Sequence, residues 1–264
     1  MNYIEKLQKS VSDGIGLCVG LDPVIDRIPE KFHKSRSPLL DFNLEIIHAT
    51  SDIASAYKPN LAFYEVYGAN GWQQLEETIK AIPDDVVVIA DAKRGDIGNT
   101  SKAYARALFE GLKADAATIN PYLGSDSIGP FIEDDRHGVF VLAVTSNPGS
   151  AELQALLVDD EPLSYHVVRM CRKLNKFSNV GLVMGATRPE MWAGLLETSQ
   201  DMPLLIPGIG AQGGDLNAVK AALKSYKAPV LINSSRSILF ASSGDDFAEA
   251  ARVEALRTKE MLIG

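Results

Sequence analysis

The segment VVVIADAKRGDIGN, residues 86–99, places two acids and two bases directly after a run of apolar residues. Asp91 and Lys93 are two positions apart at the end of a predicted strand, so their side chains should leave the strand on the same side. Asp96 follows beyond Gly95, on the loop. Because opposite charges favour the ionised forms of both partners, the two carboxylates are expected to keep Lys93 charged as an ammonium.

A second cation, Lys58, ends the preceding predicted strand and can join Asp91 and Lys93. Arg94 points away from Lys93 and is expected to be structural or solvated. The alternative to a chemical role is a purely structural cluster of ion pairs. Such pairs contribute little stability when exposed and are costly when buried, so the pattern favours chemistry.

The segment PGIGAQGGD, residues 207–215, has the spacing G-x-G-x-x-G at Gly208, Gly210 and Gly213. A dinucleotide-binding fingerprint would open the first strand–helix unit and be followed by an acid about 20 residues later. Neither condition holds here. Backbone N–H groups freed by glycines near a helix start suit an oxyanion, and Arg236 after the next strand can pair with it through two N–H groups. The sequence therefore predicts a phosphate-binding site.

Eight short apolar runs predict β-strands at residues 16–21, 54–58, 86–91, 117–120, 139–144, 180–185, 203–207 and 229–233. Most are nearly continuous in Val, Ile, Leu and Ala, as expected of parallel strands covered on both faces. Eight strand–helix repeats predict an α/β fold, a (β/α)8 TIM barrel forming a single domain over residues 1–264. The alternative is a doubly wound open sheet, which usually has fewer strands, and no linker divides the chain.

Apolar stripes predict which faces of the intervening helices are buried. In the helix predicted over residues 38–53 the stripe contains Leu40, Leu44 and Ile47. In the helix predicted over residues 99–114 it is formed by Ala103, Ala107 and Leu108. Asp215 is a good N-cap for the helix that follows the glycine-rich segment.

In a barrel of this kind the site lies where the strands end and the following loops begin. The polar residues at those positions are Asp22, Lys58, Asn60, Asp91, Lys93, Asp96, Asn120, Thr145, Ser146, Thr187, Gln212, Ser234, Ser235 and Arg236. For Asp22 we expect a ligand hydroxyl as partner. Thr145 and Ser146 precede Asn147 and a Pro-Gly pair, which fits either a capped turn or contact with the polar edge of a ligand.

Composition excludes several classes of function. The net charge is −8 and the pI about 5.1, with no basic stripe, so nucleic acid is a poor candidate as partner. Cys18 and Cys171 cannot form a disulfide framework or a Cys-rich metal site, and Cys18 is interpreted as a small core residue. No His, Asp and Glu grouping has metal-ligand spacing. Neither a signal peptide nor a membrane span is predicted, which favours a cytoplasmic protein.

These residues together resemble the orotidine 5′-phosphate decarboxylase family, and most closely its branch of longer chains found in many bacteria. The resemblance runs from GLCVGLD to NSSRSI. Its most specific element is DAKRGDIGNTSKAYA, which is similar to the family signature D-x-K-x-x-D, and YKPN, TSNP and PGIGAQGGD occur in the order typical of the family. The resemblance implies conversion of orotidine 5′-phosphate (OMP) to UMP and CO2 without cofactor or metal.

The resemblance also implies roles for residues around the reacting carbon and the base. Lys93 would protonate C6 of the pyrimidine, and Asp91 would lie beside the departing carboxylate. Lys58 and Asp22 would bind ribose hydroxyls, with Lys58 also paired to Asp91. Ser146 would contact the edge of the pyrimidine.

Further roles follow for the phosphate and for a second subunit. Gln212 and Arg236 would hold the 5′-phosphate, helped by the backbone of Ser235, where many family members have Gly. The resemblance implies a homodimer with shared active sites, in which Asp96, Ile97 and Thr100 reach the site of the neighbouring subunit. Asp96 would belong there to the same charged array.

Three other functions remain alternatives. A Mg²⁺-dependent sugar-phosphate lyase of the same barrel group would need an acid near the second strand, where this chain has Lys58. A Schiff-base aldolase would need a neutral Lys93, which the neighbouring acids oppose. A non-catalytic nucleotide-binding protein would keep the phosphate site and could lose the charges, yet all four charged positions are present.

Overall fold

Eight parallel strands close into a barrel in the computed structural model, which describes residues 1–11, 14–208 and 215–263. Around the barrel their order is β1, β10, β9, β8, β5, β4, β3, β2. The strands are β1 Ile15–Leu21, β2 Ala56–Pro59, β3 Val87–Arg94, β4 Ala116–Ile119, β5 Gly138–Val144, β8 Val180–Met184, β9 Leu204–Pro207 and β10 Val230–Ser234. All eight coincide with predicted strands, so the (β/α)8 prediction is confirmed.

The α-helices alternate with these strands. They are α1 Tyr3–Ser10, α2 Pro38–Thr50, α3 Ala62–Glu65, α4 Gly68–Lys80, α5 Gly98–Arg106, α6 Ser125–Ile128, α7 Ala151–Gln154, α8 Leu163–Leu174, α9 Ala193–Thr198, α10 Leu216–Leu223, α11 Arg236–Leu239 and α12 Phe247–Ile263. Helix α5 continues as a π-helical turn over Ala107–Gly111. Helix α10 begins as predicted, because the Asp215 side chain accepts hydrogen bonds from the backbone N–H groups of Asn217 and Ala218.

Two apolar clusters result from the alternation of side chains along each strand. The inner cluster fills the barrel and includes Cys18, Ile89, Phe140, Val183 and Leu231, all buried. The larger outer cluster lies between the strands and the surrounding helices. The expectation that Cys18 is a core residue is confirmed, and its burial raises the pKa of the thiol to about 12.

Helix α1 closes the end of the barrel where the strands begin. Its Tyr3 and Leu7 belong to the inner cluster, and Tyr3 packs directly on Gly138, the first residue of β5. Lys6 donates to the Asp115 carboxylate over 2.7 Å. The other end of the barrel, where the strands finish, is therefore the one left for ligands.

The buried faces of two helices differ from the predicted stripes. In α2 the buried residues include Leu39, Phe42 and Ile46, whereas Leu44 is exposed. In α5 and its continuation Ser101, Ala105, Leu108 and Phe109 are buried, whereas Ala103 and Ala107 are exposed. The prediction was right for Ile47, which is buried, and wrong for Leu44, because apolar residues lie on more than one face of α2. It was right for Leu108 and wrong for Ala103 and Ala107, because a polar residue, Ser101, belongs to the buried face and donates to the carbonyl of Ser127.

An antiparallel hairpin after β5 was not predicted. It pairs β6 Leu157–Val158 with β7 Glu161–Pro162 through Asp159 and Asp160, which have φ values of 51° and 64°. Two central residues with positive φ are typical of a type I′ turn. The Asp-Asp pair lacks the glycine that usually signals this turn, and both strands are too short to give a periodic pattern.

Candidate active site

The end of β3 contains an irregularity that organises the charged residues. Ala90 pairs with Ala117 and Arg94 with Ile119 of β4, so the three residues 91–93 lie opposite Thr118 alone. Lys93 adopts a left-handed backbone conformation with a φ of 48°, which is uncommon for a residue other than glycine. Strand β3 thus continues through the charged residues to Arg94 instead of ending at residue 91 as predicted.

Asp91 is the centre of the charged group. Its Oδ2 accepts from the Lys58 ammonium over 2.7 Å, and its Oδ1 accepts from the Lys93 ammonium over 2.6 Å and from the Thr118 hydroxyl over 2.9 Å. Asp91 and Lys58 are buried, whereas the Lys93 side chain is 49% exposed. The group therefore presents one accessible ammonium, that of Lys93, which is fixed by an ion pair with the buried carboxylate of Asp91.

Electrostatics keep both buried partners charged. Burial alone raises the pKa of Asp91, but the Lys58 and Lys93 ammonium groups outweigh it and hold that pKa well below its ordinary value. Burial alone lowers the pKa of Lys58, but the Asp91 and Asp22 carboxylates hold it above its ordinary value. The ion pair between Asp91 and Lys58 is thus fully charged at neutral pH.

Arg94 lies apart from this group, as predicted. Its guanidinium pairs with Glu65 and lies 5.2 Å from the centre of the Tyr104 ring. Gly95 directly follows β3 and packs against the loop after β4. A Cβ there would lie 2.9 Å from the Asn120 carbonyl oxygen, so the glycine allows the loops after β3 and β4 to approach closely.

Asp22 follows β1 and is held on both sides of its carboxylate. Oδ1 accepts from the backbone N–H of Asn60 over 3.2 Å, and Oδ2 accepts from the Ser235 hydroxyl over 2.7 Å. Gly20 makes room for this contact, since a Cβ there would lie 2.6 Å from the Cβ of Ser235. Ser235, which follows β10, thus connects the ends of the first and last strands of the barrel.

A cavity of about 1170 Å³ opens at this end of the barrel. Ten of the predicted polar residues line it: Asp22, Lys58, Asn60, Asp91, Lys93, Asn120, Thr145, Ser146, Ser235 and Arg236. The carboxylate–ammonium group lies at its floor together with Leu142, Val183 and Leu205 from the barrel interior. The structure therefore brings these ten residues to one site.

The loop after β5 is shaped by Gln154 of α7. Its side-chain oxygen accepts from the backbone N–H of Thr145 over 2.9 Å, and its amide donates to the Thr145 hydroxyl over 2.8 Å. The Thr145 hydroxyl in turn donates to the side chain of Asn147. Thr187 donates to the Ser146 carbonyl over 3.3 Å. This loop is thus a capped turn, which is one of the two interpretations of the sequence, and its Ser146 borders the cavity. Contact of Ser146 with a ligand stays a prediction.

The predicted phosphate-binding site is described only in part. Arg236 begins α11 directly after β10 and borders the cavity with its side chain exposed. Within the described residues its guanidinium has no hydrogen bond or ion pair. Gly208 follows β9 with a φ of 100°. Gln212, Gly210 and Gly213 lie outside the described residues.

Three of the predicted site residues lie away from this cavity. Asp96 accepts from the backbone N–H of Ile97, Ile97 is exposed at the start of α5, and Thr100 is exposed within that helix. None of the three is among the described residues that line the cavity, nor is Thr187 or Ser234.

Thr118 and Gln154 were not predicted as parts of the site. Thr118 lies inside a predicted strand, and a single threonine in an apolar strand gives no signal of its own. Only the irregular pairing of β3 with β4 reveals that it faces Asp91. Gln154 lies on a helix of four residues that the sequence did not predict.

The described residues contain no group of three or more His, Cys, Asp and Glu side chains that could hold a metal ion. They also contain no helix whose length and apolar character would let it cross a membrane.

This chain is similar to known proteins in both sequence and structure. Residues 16–253 match the model of the orotidine 5′-phosphate decarboxylase / HUMPS family. A relative from Herpetosiphon aurantiacus named orotidine 5′-phosphate decarboxylase is 48% identical over 89% of this chain and 88% of its own length. One from Thermomicrobium roseum with the same name is 47% identical over 99% and 95%. The solved structure of Leishmania donovani OMP decarboxylase has a TM-score of 0.84 and 36% identity, and the match covers both chains completely.

Proposed function

Because the chain belongs to the orotidine 5′-phosphate decarboxylase / HUMPS family, we propose that its Asp91–Lys93 pair decarboxylates OMP to UMP and CO2, with Lys93 as the proton donor. The activity of the chain is that of a carboxy-lyase of pyrimidine biosynthesis, as in the relatives that share nearly half of its residues. The observation that carries the assignment of Lys93 is its accessible ammonium, fixed on a buried carboxylate at the floor of the cavity.

The chemistry explains why such an ammonium is needed. Loss of CO2 from C6 of the pyrimidine leaves a carbanion that neither an adjacent carbonyl nor an electron-accepting cofactor delocalises. The protein has to supply the counter-charge, and an ammonium already oriented towards C6 does so without reorganisation. The same group then transfers a proton from Nζ to C6. Asp91, beside the departing carboxylate, contributes repulsion that is relieved as CO2 leaves.

The rest of the nucleotide is assigned to the polar residues around the cavity. Asp22 and Lys58 bind the ribose hydroxyls, and Ser146 binds the pyrimidine edge. Arg236 binds the 5′-phosphate together with Gln212 and the backbone of Ser235. Arg236 borders the cavity and has no side-chain partner among the described residues, which supports the phosphate assignment, because a guanidinium can donate two parallel N–H groups to a phosphate.

We also propose that the enzyme is a homodimer with shared active sites. Asp96, Ile97 and Thr100 lie outside the cavity of their own chain, so they are free to reach that of a neighbour. Exposed apolar side chains accompany them on the loops after β2, β3 and β4, including Val66, Ile97, Tyr122 and Leu123. A second copy covering this rim would remove that apolar surface from water.

We place the enzyme in the cytoplasm, since its charged substrate and product do not cross membranes unaided.

A Mg²⁺-dependent lyase of the same family is the second candidate, but the position of Lys58 argues against it. Such an enzyme would need an acid where β2 ends, and this chain places a buried ammonium there, in contact with the carboxylate of Asp91. A cation at that point would be repelled. A non-catalytic nucleotide-binding protein would have no need for the accessible ammonium of Lys93.

The test is turnover of OMP, followed by its absorbance in the presence of a chelator, by the purified enzyme and its Lys93→Ala variant. The wild type should be active. The variant should lose at least about a thousand-fold in kcat, because it lacks both the counter-charge and the proton donor. Its affinity for UMP, measured by calorimetry, should change by less than an order of magnitude. Wild-type turnover that requires added metal would contradict the proposed function, and an active variant would contradict the assignment of Lys93.

A further inference from the structure

Thr118 is a buried hydroxyl that joins the two residues on which the reaction depends. It is 2% exposed and lies in β4, opposite the irregular segment of β3. Its Oγ1 accepts from the backbone N–H of Lys93 over 2.9 Å and donates to Oδ1 of Asp91 over 2.9 Å. A threonine hydroxyl has one donor and two acceptor positions, so both contacts are satisfied at once.

The irregular pairing explains why this side chain is needed. Three residues of β3 lie opposite one residue of β4, so regular pairing between the strands is interrupted at Lys93. The Thr118 side chain accepts from the Lys93 N–H in place of a strand carbonyl. Lys93 is also in the left-handed backbone region, with a φ of 48°. A conformation of this kind is costly and persists only where the surrounding structure enforces it.

Thr118 thus provides a second link between Lys93 and Asp91, in addition to their direct ion pair. The ammonium of Lys93 contacts Asp91 Oδ1 directly, and the backbone of Lys93 reaches the same oxygen through the Thr118 hydroxyl. Without that hydroxyl, Asp91 would be held on Oδ1 by the flexible Lys93 side chain alone. The ammonium would then be free to sample positions away from the reacting carbon, and small misplacements of a catalytic group are costly.

We propose that Thr118 is a positioning residue of the decarboxylation, which borders the cavity but orients Lys93 and Asp91 through a hydroxyl engaged with both. The proposal rests on the proposed function, because it concerns the same reaction. It predicts that loss of the hydroxyl lowers kcat and leaves nucleotide binding nearly unchanged.

The test compares Thr118→Val, Thr118→Ala and Thr118→Ser with the wild type in OMP turnover and UMP binding. Valine keeps the branched shape and removes the hydroxyl, so kcat should fall by about ten- to a hundred-fold, the range expected for a hydrogen bond to a charged group. KM and the UMP dissociation constant should change by less than about threefold, because the hydroxyl that is removed contacts Lys93 and Asp91. Serine retains the hydroxyl and should restore most of kcat. Alanine should reproduce the loss if valine prevents folding.

The matched control is Thr258→Val in α12, where a buried threonine hydroxyl donates to the Glu254 carbonyl far from the cavity. It should keep the wild-type kcat. A Thr118→Val or Thr118→Ala enzyme with wild-type kcat would overturn the proposal. So would a Thr118→Ser enzyme that folds but is as slow as the alanine variant. Absence of turnover in the wild type would instead overturn the proposed function, so the two failures are distinguishable.

Discussion

At the scale of single residues, each carboxylate of the site is oriented by a neighbour whose side chain bears no charge. Asp91 has Thr118, and Asp22 has Ser235 together with the backbone of Asn60. Asp22 is proposed to accept from a ribose hydroxyl, and a carboxylate in that role binds best when its free lone pairs already point towards the cavity. The neutral neighbours therefore preorganise the charged ones, at little cost in desolvation.

Ser235→Ala is expected to weaken substrate binding more than catalysis. The substitution keeps the backbone N–H assigned to the phosphate and removes the hydroxyl that holds Oδ2 of Asp22. Loss of one of the two hydrogen bonds that orient this carboxylate should raise KM for OMP by about three- to tenfold, with kcat changed by less than about twofold. Steady-state kinetics measure both constants. Ser237→Ala is the control, because its hydroxyl pairs with Ser234 instead; an equal effect in both variants would contradict the role given to Ser235.

At the scale of elements, the positions of the strands were predictable and the details that bring the side chains together were not. Nearly continuous apolar runs identify strands buried on both faces, and the pattern located all eight barrel strands. The irregular pairing at the end of β3 depends on the register with β4, which no local pattern encodes. The buried faces of α2 and α5 depend on which of several possible stripes meets the barrel. For this reason Asp91 and Lys93 were found from sequence, and Thr118 was not.

Helix α1 allows a prediction about stability that is separate from catalysis. In Gly138→Ala the added methyl group would overlap the ring of Tyr3, which closes the far end of the barrel. Either α1 or β5 must shift, and overpacking of this kind costs about 1–3 kcal/mol. Urea unfolding should show that loss, while kcat should remain at the wild-type value because the active site lies at the opposite end.

Gly129→Ala is the matched control for that measurement, since a Cβ there would meet no atom within 4 Å. It should unfold at nearly the same urea concentration as the wild type. A loss of stability in Gly129→Ala as large as that in Gly138→Ala would show that the contact with Tyr3 is not responsible.

At the scale of the whole molecule, a single barrel brings one part of the predicted site to the cavity and leaves another part outside it. Ten polar residues converge on the cavity, as strand ends in a barrel require. Asp96, Ile97 and Thr100 do not, although they belong to the same segment of the sequence as Lys93, DAKRGDIGNT. Ile97 and Thr100 are exposed beside apolar loops after β2 and β4, which is what a shared site in a symmetric dimer would produce.

Mixing two inactive variants tests whether the sites are shared. Lys93→Ala and Asp96→Ala should each be nearly inactive alone, because each removes one part of every site. In a heterodimer, one site would lack both residues and the other would contain Lys93 from one chain and Asp96 from its partner. Random association should then restore about a quarter of the wild-type sites, since half of the dimers are mixed and each has one intact site. The assay is kcat after the two chains are refolded together.

Lys93→Ala mixed with the double variant Lys93→Ala/Asp96→Ala is the control, because no heterodimer of that mixture contains an intact site. Equal activity in the two mixtures would mean that Asp96 serves its own chain, and the loops around α5 would then need another explanation for their exposed apolar surface.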